Sequence, residues 1–137
     1  MTAPRYMLDT NIISDIVKNP RGLAAQRARA QQDELCTSII VAAELRYGCA
    51  KKGSPELLRK VEDILEEVGV LAFDVPADGD YGGLRAELEA AGQLIGGNDL
   101  FIAAHAYCLR LTLVTANVRE FSRVRGLNIE NWLTPAN

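Results

Sequence analysis

A single histidine among 137 residues removes much chemistry at the outset. A zinc site built on two histidines is impossible, and a Ser–His–Asp triad has only His105 to draw on. His105 lies inside an apolar stretch and reads as a structural side chain. Cysteine is sparse: Cys36, Cys49 and Cys108 are widely spaced, odd in number and form no C-x-x-C pair. That argues against a disulfide framework or a zinc knuckle and suits small buried thiols in a reducing cytoplasm. No stretch approaches the ~18 apolar residues of a membrane span, and the opening MTAPRYMLDTN has no leader pattern. A basic excess is missing too, since the net charge is −3. Proteins that hold nucleic acid by charge alone are basic, so contact with a polyanion must be local or carried by bound cations. There is no internal repeat, linker or low-complexity stretch.

What is present is an ordinary globular composition, 48% hydrophobic and 24% charged, at a length that suits one domain over residues 1–137. Short apolar runs at Tyr6–Leu8, Leu35–Thr37, Val70–Phe73 and Leu111–Val114 read as strands, with a fifth at Asn128–Glu130. Helical segments alternate with them. Asn11–Lys18 is stopped by Asn19-Pro20, and Leu23–Gln32 follows. Ser38 can cap a helix from Ile39 to about Ala50, with Ile40, Ala43, Tyr47 and Ala50 as its apolar face. Ser54-Pro55 starts another, which Gly69 ends. Ala77–Ala91 contains Gly82-Gly83 as a weak point, and a Gly-rich loop from Gly92 to Gly97 leads into Asn98–Leu109, apolar almost all round and therefore buried. The alternation predicts an α/β fold with a mainly parallel sheet of four to five strands flanked by helices, and a functional crevice beyond the strands' carboxyl ends.

Polar residues gather at those ends. Asp9 directly follows the first strand, where it can cap the next helix or serve a site. Glu44 is mid-helix, either solvated or, beside apolar neighbours, aimed over the sheet edge. Asp99 opens the most apolar helix behind a Gly loop; since Asn98 can already act as the cap, a site explains Asp99 better. Asn117 falls just past the fourth strand, with Glu120 one turn on. Carboxylates converging from these elements would repel one another, and a divalent cation relieves that conflict. Oxygen ligands without Cys or His select Mg²⁺ or Mn²⁺ over zinc. Metal-assisted phosphodiester hydrolysis needs no histidine.

LDTNIIS at Leu8–Ser14, AAELRYG at Ala42–Gly48, GGNDLFIAAHA at Gly96–Ala106 and LVTANVREFSRVRGLNIENW at Leu113–Trp132 resemble the VapC toxins of bacterial toxin–antitoxin pairs. The blocks span nearly the whole chain in order. The resemblance implies a PIN-domain fold and a Mg²⁺-dependent endoribonuclease aimed at tRNA or rRNA. It also implies a VapB-type antitoxin and a toxin homodimer. By position, Asp9, Asp99 and Glu44 are the metal-binding acids, with Thr10 and Asn11 orienting Asp9 and nearby water. The chain departs from the wider family at Asn117, where a fourth acidic residue is common. An amide brings no charge, which leaves Asn117 or Glu120 in the fourth catalytic place and puts a second ion in question. Arg46, Arg119, Arg123 and Arg125 are the candidate RNA contacts, the last three forming a basic rim near the fourth strand's exit.

Two other readings compete. A phosphorylated receiver-like domain needs an acidic pair on the first strand and a lysine after a late one; one Asp and Thr115-Ala116-Asn117 stand there instead. A catalytically weak PIN module, acting mainly by binding its antitoxin and operator DNA as a complex, is favoured by the missing fourth carboxylate.

Overall fold

Three consecutive buried residues, Tyr6–Leu8, form β1, the middle strand of the sheet. A strand covered on both faces cannot alternate apolar and polar residues, so it reads as a continuous apolar run. In the computed structural model, which describes residues 3–135, β1 pairs in parallel with β2 (Leu35–Ser38) and β4 (Thr112–Val114). The edges are β3 (Val70–Leu71) beside β2 and β5 (Ile129–Glu130) beside β4, giving the order β3-β2-β1-β4-β5. All pairings are parallel, as the sequence predicts.

This order places the crevice. The chain steps from β1 through β2 to β3, then returns to lay β4 and β5 on the other side of β1. The order reverses between β1 and β4, where open parallel sheets form their ligand crevices. Asp9 and Thr115 are the residues that follow those two strands.

The helices are α1 (Thr10–Lys18), α2 (Leu23–Ala30), α3 (Ile39–Lys52), α4 (Pro55–Val68), α5 (Ala77–Ala90), α6 (Gly97–Leu109) and α7 (Val118–Phe121). Their ends follow the capping rules. Ser38 Oγ accepts from Ile40 N at 3.0 Å, Ser54 Oγ accepts from Leu57 N at 3.2 Å, and Pro55 takes the first position of α4. Gly53 closes α3 at a φ of 66°, which a side chain would strain. As expected of an all-round apolar helix, α6 buries Leu100, Ile102, Ala103, Ala104, His105 and Ala106. Among the described residues no helix is long and apolar enough to cross a membrane.

Several expectations need correction. The buried face of α3 is Val41, Ala42, Leu45 and Cys49, whereas Tyr47 is 66% exposed and Ala43 and Ala50 also face solvent. Both sets fit a 3.6-residue period in a helix this evenly apolar, and packing against α4 and α6 selects between them. Only Val70–Leu71 of the third strand pairs, and α2 ends at Ala30, ahead of a 3₁₀ turn at Gln32–Glu34. The Gly82-Gly83 pair does not break α5, and α6 starts at Gly97 with Gly96, not Asn98, at its cap.

His105 has the structural place expected of it. Its Nδ1 lies 2.8 Å from Ser38 Oγ. Which of the two donates depends on the imidazole tautomer, and burial lowers the imidazole pKa. The bond ties α6 to the start of α3. Cys36 and Cys49 are buried free thiols, while Cys108 is partly exposed.

Candidate metal and phosphodiester site

Asp9 caps α1 and also stands at the end of β1, where the candidate site lies. Its backbone N–H continues the ladder to Val114 O at 2.9 Å, and its carbonyl receives the first α1 amides, Ile12 N and Ile13 N. Its carboxylate, only 3% exposed, accepts from Thr10 N at 2.7 Å through Oδ1. Through Oδ2 it accepts from Thr115 Oγ1 at 2.8 Å and from Asn11 Nδ2 at 3.4 Å. Burial raises its pKa against these bonds, and the charges of Glu44 and Glu120 raise it further. Capping alone would not require so deep a carboxylate.

Glu44 reaches the same edge from α3. Thr10 Oγ1 donates to its Oε1 at 2.6 Å, and Asn98 Nδ2 donates to its Oε2 at 3.3 Å. Thr10 thus divides its groups, N–H to Asp9 and hydroxyl to Glu44. Asp99 follows in the first turn of α6, half-buried, its pKa pushed up to about 6 by burial and by Asp9, Glu120 and Glu44. Glu120 arrives from α7. Its Oε1 accepts from Gly96 N at 2.9 Å and its Oε2 from Asn117 Nδ2 at 2.7 Å, and these bonds hold its pKa below the ordinary value. A β-carbon placed on Gly96 would stand 3.8 Å from both Asp99 Oδ2 and Glu120 Oε1, in ordinary contact with the two acids.

The four expected elements therefore converge, with both Asn117 and Glu120 present at the fourth. Asn117 supports Glu120 through its amide, and Glu120 brings the charge. Asn11 bridges α1 to the loop after β4, accepting from Ala116 N at 3.0 Å. Thr115 and Asn98 were not anticipated. Thr115 is fully buried, donates to Asp9, and accepts from Asn117 N at 3.0 Å. Its signal was available, because a hydroxyl directly after β4 stands at the same level as Asp9 after β1.

The arginines disperse. Arg46 pairs with Glu62 at 3.0 Å, on a different face of α3 from Glu44, as a two-residue offset requires. Arg125 pairs with Glu87 at 3.6 Å. Arg123 donates to Leu94 O at 3.2 Å in the Gly-rich loop, and its charge helps hold Glu120 ionised. Arg119 is exposed on α7.

Among the described residues none of the four acids forms an ion pair, and no three acidic, His or Cys side chains are arranged to hold a metal ion as they stand. Hydrogen bonds, not cations, restrain the carboxylates, and the burden appears as the raised pKa of Asp99. The donor set is all oxygen and fits a hard divalent cation.

A PIN-domain family model matches residues 6–127. Ribonuclease VapC2 of Haemophilus influenzae is 40% identical over 130 residues, covering 94% of this chain and 98% of that protein. The tRNA(fMet)-specific endonuclease VapC of Shigella flexneri is 39% identical over 129 residues, covering 93% and 98%. Among solved structures, DNA-bound VapBC from Salmonella typhimurium aligns with a TM-score of 0.89 at 38% identity, covering 94% of this chain and 98% of that one. VapBC2 from Rickettsia felis, bound to a DNA fragment from their promoter, aligns at 0.87 and 35% identity, covering 96% and 99%. The chain belongs to the PIN-domain family. Within that family it falls among the VapC ribonucleases.

Proposed function

We propose that this protein is the toxin of a toxin–antitoxin pair, a divalent-metal-dependent endoribonuclease that hydrolyses RNA phosphodiester bonds. The observation that carries the reading is the convergence of Asp9, Glu44, Asp99 and Glu120 on the β1/β4 edge, with none of them in an ion pair among the described residues. In this reading Asp9, Asp99 and Glu44 hold Mg²⁺ or Mn²⁺, and Glu120 takes the fourth acidic place. The ion, when bound, polarises the scissile phosphate and acidifies a bound water. The chain's own residues do the rest. Thr115, Thr10 and Asn11 orient Asp9, Thr10 and Asn98 orient Glu44, and Asn117 with Gly96 orients Glu120. Arg119 and Arg123 offer phosphate contacts on the rim, Arg123 at the cost of its bond to Leu94.

The substrate class is tRNA or another structured RNA, supported by the tRNA(fMet) specificity in the name of the Shigella relative. A VapB-type antitoxin is the partner, supported by the VapBC complexes among the structural neighbours, and the toxin works as a homodimer in the cytoplasm. Two of those neighbours are on DNA, which supports operator binding by the assembled pair as part of this reading. The weak-module alternative loses its motive once Glu120 supplies the charge that Asn117 lacks.

The test is cleavage of tRNA and rRNA by antitoxin-free protein with Mg²⁺, with Mn²⁺ and with EDTA, beside Asp99→Asn. Discrete cuts that vanish with EDTA and with the variant are expected. A folded wild type that cuts none of these RNAs at millimolar Mg²⁺ overturns the ribonuclease reading.

A further inference from the structure

A cleft of about 230 Å³ opens from the candidate site between α1, α3 and α4, sharing Thr10 and Glu44 as part of its wall. Its interior is apolar, formed by Val17, Leu45, Leu57 and Val61. Its rim carries Lys18 and Lys52, neither of which forms an ion pair among the described residues. Gly48 is also part of its lining, and a β-carbon there would meet nothing within 4 Å, so the position has room for a side chain. We propose that this cleft is a nucleotide subsite for the RNA substrate, taking one base adjacent to the scissile phosphate while Lys18 and Lys52 hold the backbone leading away from it.

Three features select this occupant. The cleft is smaller than the roughly 300–1,000 Å³ of sites that enclose drug-sized ligands, which suits one planar base. Its wall includes Glu44, one of the four carboxylates, so a base seated there belongs to a nucleotide whose phosphate lies at the Glu44 end. The charges also run in the right order, with acidic side chains for an ion at one end, an apolar slot in the middle and two cations at the other. An RNA strand needs that sequence of contacts on a protein whose net charge is −3. Lys18 and Lys52 each end a helix, where a cation is favoured anyway, and that role would leave RNA kinetics untouched.

The inference rests on the ribonuclease reading, and the experiment separates the two. Steady-state cleavage of one RNA would be compared for wild type, Lys18→Ala/Lys52→Ala and Gly48→Leu, each with circular dichroism and melting to verify folding. The lysine pair should raise KM about tenfold with little change in kcat, and flatten the dependence of log(kcat/KM) on log[salt] by about 1.4, as for two single-strand phosphate contacts. An RNA made abasic in turn at each position flanking the cut should lose affinity for wild type at one position. Gly48→Leu, which adds bulk to the cleft's lining, should be less sensitive to that same lesion.

Variants that cut like wild type, with its salt slope and its abasic profile, overturn the subsite while leaving the ribonuclease standing. The subsite is equally overturned if they lose only inhibition by the antitoxin, since the cleft then belongs to a protein partner. A wild type that cuts no RNA fails before any variant is compared, and takes the parent reading with it.

Discussion

Asp99 offers a test in which function and stability should move in opposite directions. Its carboxyl is pushed up to about 6 from an ordinary 3.8, first by burial and then by Asp9, Glu120 and Glu44. Between pH 4 and 6 the folded protein keeps a proton on Asp99 that the unfolded chain has released. Wild-type stability therefore falls as pH rises through that interval, and stays lower above it. The shift corresponds to a ceiling of about 3 kcal/mol. Half-exposure and solvent screening reduce that figure. The first turn of α6 favours an anion by ~0.3–1 kcal/mol, which the substitution forfeits. The metal-free Asp99→Asn protein should thus be about 1 kcal/mol more stable than wild type at pH 7.5, or roughly 3–4 °C in Tm for a chain of this size.

The assay is thermal unfolding in EDTA at pH 7.5, 6 and 4, repeated with 5 mM Mg²⁺. The variant's advantage should be full at pH 7.5, shrink through pH 6 and vanish at pH 4. Added Mg²⁺ should raise the wild-type Tm and leave the variant unmoved, because only a competent site gains from mass action. If Asp99→Asn is no more stable in EDTA at pH 7.5, the helix terminus outweighs the crowding of charge. These carboxylates would then have no energetic reason to await a cation.

Other substitutions probe the supports. Thr115→Val removes a buried donor to Asp9 and the acceptor for Asn117 N, so urea melts should show a loss of about 1–3 kcal/mol, with Mn²⁺ affinity by calorimetry also reduced. Thr10→Val frees Glu44 Oε1 while preserving the backbone bond to Asp9, and should cost roughly 10–100-fold in metal affinity, read by the Mg²⁺ dependence of cleavage. Asn117→Asp sets a carboxylate against Glu120 at the present 2.7 Å contact, so the pH profile of cleavage should shift alkaline; an unchanged or acid-shifted profile would count against Glu120 as the fourth acid. Ser38→Ala leaves Ile40 N and His105 Nδ1 without their shared partner, and should lower stability by about 1–3 kcal/mol in denaturant melts at neutral pH.

The parts of this molecule readable from sequence are those where one local rule acts alone. The strand β1 is a continuous apolar run, and β2 and β4 bury their apolar residues beside it, as a parallel sheet covered on both faces requires. Ser54-Pro55, Gly69 and the Ser38 cap are decided by backbone donors within four residues, so tertiary context does not disturb them. Asp9 and Asp99 stood out because a carboxylate at a buried strand end or on a buried helix needs a compensating reason. The apolar face of α3 was misread because two faces fit the same period, and only the neighbouring helices distinguish them. The choice between Asn117 and Glu120 stays open in the sequence for a related reason. Position relative to β4 points to Asn117, but α7 is a single turn with too few residues for any periodic signal, and that turn sends Glu120 back over the Gly-rich loop. The dispersal of Arg46 and Arg125 depends on Glu62 and Glu87, partners distant in sequence that no local pattern identifies.

The acidic balance of the chain then becomes a working part of the proposed activity. An apo site with four carboxylates repels phosphate, so RNA should bind poorly without a divalent ion, whatever the lysines and arginines at the rim contribute. Each ligand removes the other's main cost: the ion relieves repulsion among Asp9, Glu44, Asp99 and Glu120, and the phosphate adds oxygen donors that the side chains do not supply. Linkage makes the effect reciprocal, so RNA should tighten ion binding by the factor with which the ion tightens RNA. Calorimetric titration of Mn²⁺ with and without a non-cleavable, 2′-deoxy-substituted RNA measures that factor directly. Coupling of about tenfold or more is expected. Independent binding would mean that the phosphate lies away from the carboxylates, and the β1/β4 edge would have to be abandoned as the place of cleavage.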